Sequence, residues 1–161
     1  MAKDINKALD NVEMVYGTIS KMANDMLSEI FDPINAFVSG ITDDINNCTV
    51  DEIRNYIIRL QLKAYELGEI KEKSAIKAEC AEALRKEKFA KSFNEADGTN
   101  GVKENLALIE TSEEIVVQCL YELVANLLKT KQDSLHRLVD SLKSILVSRM
   151  QEARMSTTSI E

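Results

Sequence analysis

Three cysteines, one histidine and 27 carboxylates are the side chains here that could act as nucleophile, metal ligand or general acid. Their spacing argues against all three roles. Cys48, Cys80 and Cys119 are odd in number and far apart, and none stands at metal-ligand spacing from another cysteine or from His136. They read as buried free thiols in a reducing compartment. One histidine cannot supply both a catalytic triad and a metal site, and His136 lies in a basic helical stretch, where it suits a surface or a phosphate better than a catalytic centre. There is no nucleophile elbow, P-loop or glycine fingerprint. The turn "DGTNG" lacks the alternating acidic ligands and closing Glu of a calcium loop. The carboxylates are scattered as helix-surface charge. The expectation is a protein without catalytic residues, metal or cofactor.

Charge is the more informative chemistry. The net charge is −7, yet Lys71–Lys91 carries seven basic and four acidic side chains. The signs fall into blocks: net −7 over residues 1–53, +4 over 54–93, −6 over 94–128 and +2 over 129–161. A basic stretch in an acidic chain is either half of an internal match or a grip on a polyanion.

Helices must position these charges. Five Gly, one Pro and no Trp among 161 residues leave few breakers, which argues for few, long helices. Ile5, Val12, Ile19 and Met26, with Leu9, Tyr16, Ala23 and Ile30, make a heptad stripe over the first 30 residues. This is the expected oligomerisation seam, although such a stripe also serves an ordinary core-facing helix. Asp32–Pro33 suggests a kink or a restart. "TVDE" at Thr49–Glu52 fits a capping box opening a helix that runs to about Ala96, with Ile53, Ile57, Leu60, Ala64 and Leu67 on its apolar face. Its second half offers mainly alanines. After the turn at 97–101 the chain is helical to about Arg154, with a possible second box, "TSEE", at Thr111–Glu114.

The fold class is therefore all-α: a long antiparallel helical hairpin plus a kinked N-terminal heptad helix, bundle- or coiled-coil-like and oligomeric. The segments are an acidic N-terminal helix over 1–48, the hairpin over 49–155 and a frayed tail over 156–161. Folding at 97–101 pairs residues whose numbers add to about 198. The basic Lys71–Lys91 stretch then lies beside Glu110, Glu113, Glu114 and Glu122. At the other end Arg54, Arg59 and Lys63 lie opposite Lys129, Lys131, Arg137 and Lys143. Either the acidic N-terminal helix covers this cluster or it faces a polyanion.

From Arg54 to Arg154 the layout resembles small all-helical phage replication and recombination accessory proteins, the UvsY-like recombination mediators. The likeness rests on "LKAYELGEIKEKSAIKAECAEALRKEK", the glycine-bearing turn and "KTKQDSLHRLVDSLKSILVSRMQEAR". It implies an oligomer that binds single-stranded DNA and associates with a single-strand binding protein or recombinase, with Arg59, Lys63, Lys71, Lys73 and Lys77 facing the DNA. The alternative is a protein-interaction module (inhibitor, adaptor or scaffold) working through its helical faces without nucleic acid. With 5% aromatics, any nucleic-acid binding would be directed to the backbone. No stretch approaches the roughly 18 apolar residues that span a bilayer, and the N-terminus lacks a signal-peptide pattern. The expected location is cytoplasmic, in the host if phage-encoded.

Overall fold

The computed structural model describes the backbone of residues 2–158 and the side chains of residues 12–155. Four helices follow in order, α1 (Ala2–Asp44), α2 (Val50–Glu95), α3 (Asn100–Glu110) and α4 (Ser112–Thr158), with no strand among the described residues. Of the frayed tail expected over 156–161, residues 156–158 instead continue α4 as helix, and 159–161 lie outside the described residues.

The helix boundaries have local causes. Before α2, the Thr49 N–H donates to Glu52 Oε2 at 2.7 Å and the Glu52 N–H donates back to Thr49 Oγ1 at 3.3 Å. This reciprocal pair satisfies donors that a helix start leaves open. The bond from the Thr49 backbone, helped by the Thr49 hydroxyl, holds the Glu52 carboxyl below its ordinary range. Between α2 and α3, Gly98 takes φ +117°, a conformation that disfavours any side chain.

The second box is not built. Thr111, fully buried, turns its hydroxyl back to donate to Ala107 O at 2.9 Å. Glu114 is drawn instead to Lys88, at 2.8 Å. Thr111 therefore closes α3, and α4 begins one residue later. Nor does a helix end at Asp32–Pro33, because α1 runs through Pro33 unbroken. An interior proline costs about 3 kcal/mol. Here it sits one residue before Ile34, which is buried in the core, so packing outweighs the lost backbone bond.

The chain divides into two compact units. One holds α1 as far as Leu27 together with Lys71–Asn126; the other holds Ser28–Ile70 and α4 from Leu127 onward. Their cores differ in kind. The first buries Ile19, Ala23, Leu27, Ala78, Ala81, Ala107, Leu120 and Val124. The second buries Ile34, Ile41, Ile53, Ile57, Leu60, Leu67, Leu128, Leu135, Val139 and Leu142. A buried Leu or Ile contributes about 1.5–3 kcal/mol and a lone methyl about 0.8, so the alanine-rich unit holds together less strongly per residue.

Antiparallel register is visible inside each unit. In the first, Lys77 Nζ lies 5.1 Å from the Tyr121 ring centre, and those numbers add to 198. Lys88 meets Glu114, adding to 202. In the second, Gln132 Nε2 donates to Ala64 O at 2.9 Å, adding to 196. The hairpin register agrees with that read from the charge blocks to within a turn.

Gln132 also explains a helical glycine. A Cβ on Gly68 would sit 2.9 Å from Gln132 Nε2. Gly68→Ala should therefore forfeit the Gln132 bond, worth about 1 kcal/mol, against a helix-propensity gain of similar size, leaving stability near its native value. In a Gln132→Ala background the same change should stabilise by about 1 kcal/mol. A urea-unfolding double-mutant cycle checks this, and equal effects in both backgrounds would contradict it.

Candidate interaction surfaces

Each unit carries one surface of interest, an apolar groove in the first and a cluster of cations in the second. In the first, α1 and α4 leave an apolar groove of about 460 Å³ lined by Val12, Val15, Tyr16, Ile19, Cys119 and Leu123. Only part of the heptad seam is covered here. Ile19 and Ala23 are buried and Ile30 is half-buried, but Val12, Tyr16 and Met26 are 65%, 62% and 44% exposed. Ile5 and Leu9 lie outside the described side chains. Among the described stripe positions coverage is uneven, and Leu27 takes the buried place that the heptad gives to Met26. An α-helix repeats every 3.6 residues and drifts about 20° per heptad against a strict 3.5 repeat. Packing inside the chain follows the helix, not the heptad.

The basic α2 stretch of this unit meets its acidic neighbour through one ion pair, and two more of its lysines pair within α2. Lys88 pairs with Glu114 at 2.8 Å, and the Ser92 hydroxyl donates to Glu110. The Glu114 bond raises the Lys88 pKa, and Lys88 in turn lowers that of Glu114. Lys86 pairs with Glu82 at 2.6 Å and Lys71 with Glu72 at 3.0 Å. Lys77 rests on Tyr121, and Lys73 is exposed. Glu122 does not join the match, since it accepts from Gln118 at 2.8 Å. Exposed pairs of this kind are worth about 0–1 kcal/mol each, so they fix register more than they stabilise.

The second unit holds the other expected cations. Arg54 pairs with Asp51 at 2.9 Å, Lys63 with Glu66 at 2.8 Å and Lys143 with Asp140 at 3.1 Å, all within one helix turn. Lys131 donates to Asn35 and lies 5.8 Å from the Phe31 ring centre. The Arg59 guanidinium carbon sits 4.2 Å from the Phe37 ring centre. Lys129, His136 and Arg137 are exposed. The acidic N-terminal helix thus reaches two of these cations, but it does so with rings and an amide.

The sequence reading passed over Arg149. This α4 side chain, half-buried, donates to Ile45 O at 2.7 Å, to Asn46 O at 3.1 Å and to Cys48 O. It clamps the α1–α2 connection. The last turn of α1 has no basic residue of its own, and that absence was the available signal: a C-terminus with unmet carbonyls attracts a cation from elsewhere.

No family model, no curated protein and no solved structure matches this chain. No helix among the described residues is long and apolar enough to cross a membrane, and no group of three or more His, Cys, Asp or Glu among them could hold a metal ion.

Proposed function

We propose that this chain is a non-enzymatic helical interaction module that assembles with a second copy of itself through the α1/α4 face of its first unit. The observation that carries this reading is the wholly apolar groove beside exposed Val12, Val15 and Tyr16. A heptad repeat is the pattern a partner helix uses, and two of these uncovered residues, Val12 and Tyr16, are heptad positions. A second α1 presents the same stripe, so the contact is self-complementary, as a two-fold interface requires. Each Å² of apolar surface removed from water contributes about 25 cal/mol. Light scattering tests the reading: the native protein should assemble and the Val12→Asp, Tyr16→Asp variant should run as a single chain.

The exposure of Lys129 and Arg137 on one helix supports a second role, contact with single-stranded nucleic acid. Binding would be modest and indifferent to sequence, because cations contact phosphates and few aromatics are available to read bases. The logarithm of affinity should fall with log salt by about 0.7 per phosphate contacted. Fluorescence anisotropy with a labelled oligonucleotide in about 50 mM salt should show binding that Lys129→Glu with Arg137→Glu removes. An absence of binding to the native chain at that salt would eliminate this role.

A further inference from the structure

We propose that Phe37, Tyr56 and Arg59 form a receptor for a carboxylate carried on an apolar body, supplied by an acidic, apolar segment of a partner protein. The site belongs to the second unit and does not depend on the α1/α4 face. A groove of about 300 Å³ is lined by Ala36, Phe37, Gly40, Ile41, Tyr56 and Arg59. That volume is at the lower end for ligand pockets and suits one or two side chains.

Arg59 supplies the charge. It is exposed and lies over the Phe37 ring, and no carboxylate or carbonyl among the described residues accepts a hydrogen bond from it. Arg54, Lys63 and Lys143 each have an acid one turn away; Arg59 has a ring instead. A guanidinium held on an aromatic face keeps its edge donors for a two-pronged bond to a planar anion. Phe37 is fixed in turn by Tyr56, with ring centres 6.0 Å apart at 71°, an edge-to-face pair. Cys48 Sγ lies 3.9 Å from the Tyr56 oxygen, and this contact together with burial raises the phenol pKa, so Tyr56 stays neutral beside the groove. A Cβ built on Gly40 meets nothing within 4 Å, so the wall there is open.

The surroundings select among anions. Arg59 is the one cation of the groove lining, and the rest of that lining is apolar or aromatic, which suits a single negative charge with apolar contacts. Such a lining opposes a phosphate chain, which needs several cations and offers no apolar body. This favours an acidic, apolar peptide over a nucleic acid at this place.

The test uses the full chain and three small probes followed through the Gly40 amide and the Arg59 Nε–H by NMR. 4-Phenylbutyrate should give saturable shifts, and its uncharged amide should bind at least about tenfold more weakly. An acetylated Glu-Leu-Leu peptide amide should compete with the phenylbutyrate. Arg59→Gln should remove the shifts. Gly40→Leu should also remove them by filling the groove, while retaining or raising helix stability, since leucine is the better helix former; a normal melting curve separates loss of the site from loss of the fold. Equal binding of the amide, saturation by inorganic phosphate in place of phenylbutyrate, or failure of the peptide to compete would each overturn the proposal.

Discussion

Arg149→Ala should lower unfolding free energy by about 2–3 kcal/mol, a large loss for one side chain that lies outside the buried core. Its guanidinium donates to three backbone carbonyls, of Ile45, Asn46 and Cys48, just past the end of α1. Hydrogen bonds to a charged group contribute about 1.5–3 kcal/mol each, but they are not additive when one donor serves them all. The variant leaves carbonyls near a helix C-terminus without the cation that complements the dipole there. Arg149→Lys keeps the charge and loses the fork, so it should recover less than half of the deficit. Urea unfolding at one fixed protein concentration checks this, the fixed concentration being needed because self-association would add to apparent stability. A loss below about 0.5 kcal/mol, the level of an ordinary surface change, would mean the clamp is not used.

The second large effect is on assembly and should leave the fold alone. Val12→Asp with Tyr16→Asp places two carboxylates on a helix face that is 65% and 62% exposed at those positions. Within one chain there is little burial to lose, so helicity should be nearly unchanged. In an assembled face the same carboxylates would be taken out of water without partners, at several kcal/mol. Light scattering should give a multiple of the 18.1 kDa chain mass for the native protein and the single-chain mass for the variant. A native chain at 18.1 kDa across the accessible concentration range would refute self-association. An unfolded variant would show that α1 needs these side chains for the chain's own core. In that case Met26→Asp, on an exposed heptad position next to buried Leu27, asks the same question with less risk to the fold.

How much of this was legible beforehand differs from feature to feature. The all-helical class, the long second helix and the turn before α3 were readable because breakers are rare and stand together at 97–101. The Thr49–Glu52 box was readable because both of its bonds are local. The hairpin register was readable from charge blocks, since opposite signs that face each other set an alignment. Residues that work across helices were not. The pairing of Arg59 with Phe37, and of Gln132 with Ala64, requires two helices to be packed before either contact exists. The heptad stripe was read correctly as apolar, but periodicity alone could not say which of its positions the chain would cover. Ile19 and Ala23 went to the core, while Val12 and Tyr16 did not. The "TSEE" motif misled for a related reason: Lys88, 26 residues earlier, competes for Glu114 and wins.

The most direct test of the assembly face uses the cysteines already in place. Of the three thiols expected to be buried only Cys48 is; Cys119 is exposed along the α1/α4 groove and Cys80 is exposed on α2 outside that lining. Modification of the native chain by a soluble maleimide should be followed over a wide range of protein concentration, with Cys80 as the internal reference. If a second copy covers the groove, Cys119 labelling should slow at least about tenfold relative to Cys80 as concentration rises, because only the free face reacts. The Val12→Asp, Tyr16→Asp variant should show no such slowing. A constant Cys119 to Cys80 ratio at every concentration would contradict assembly through this face.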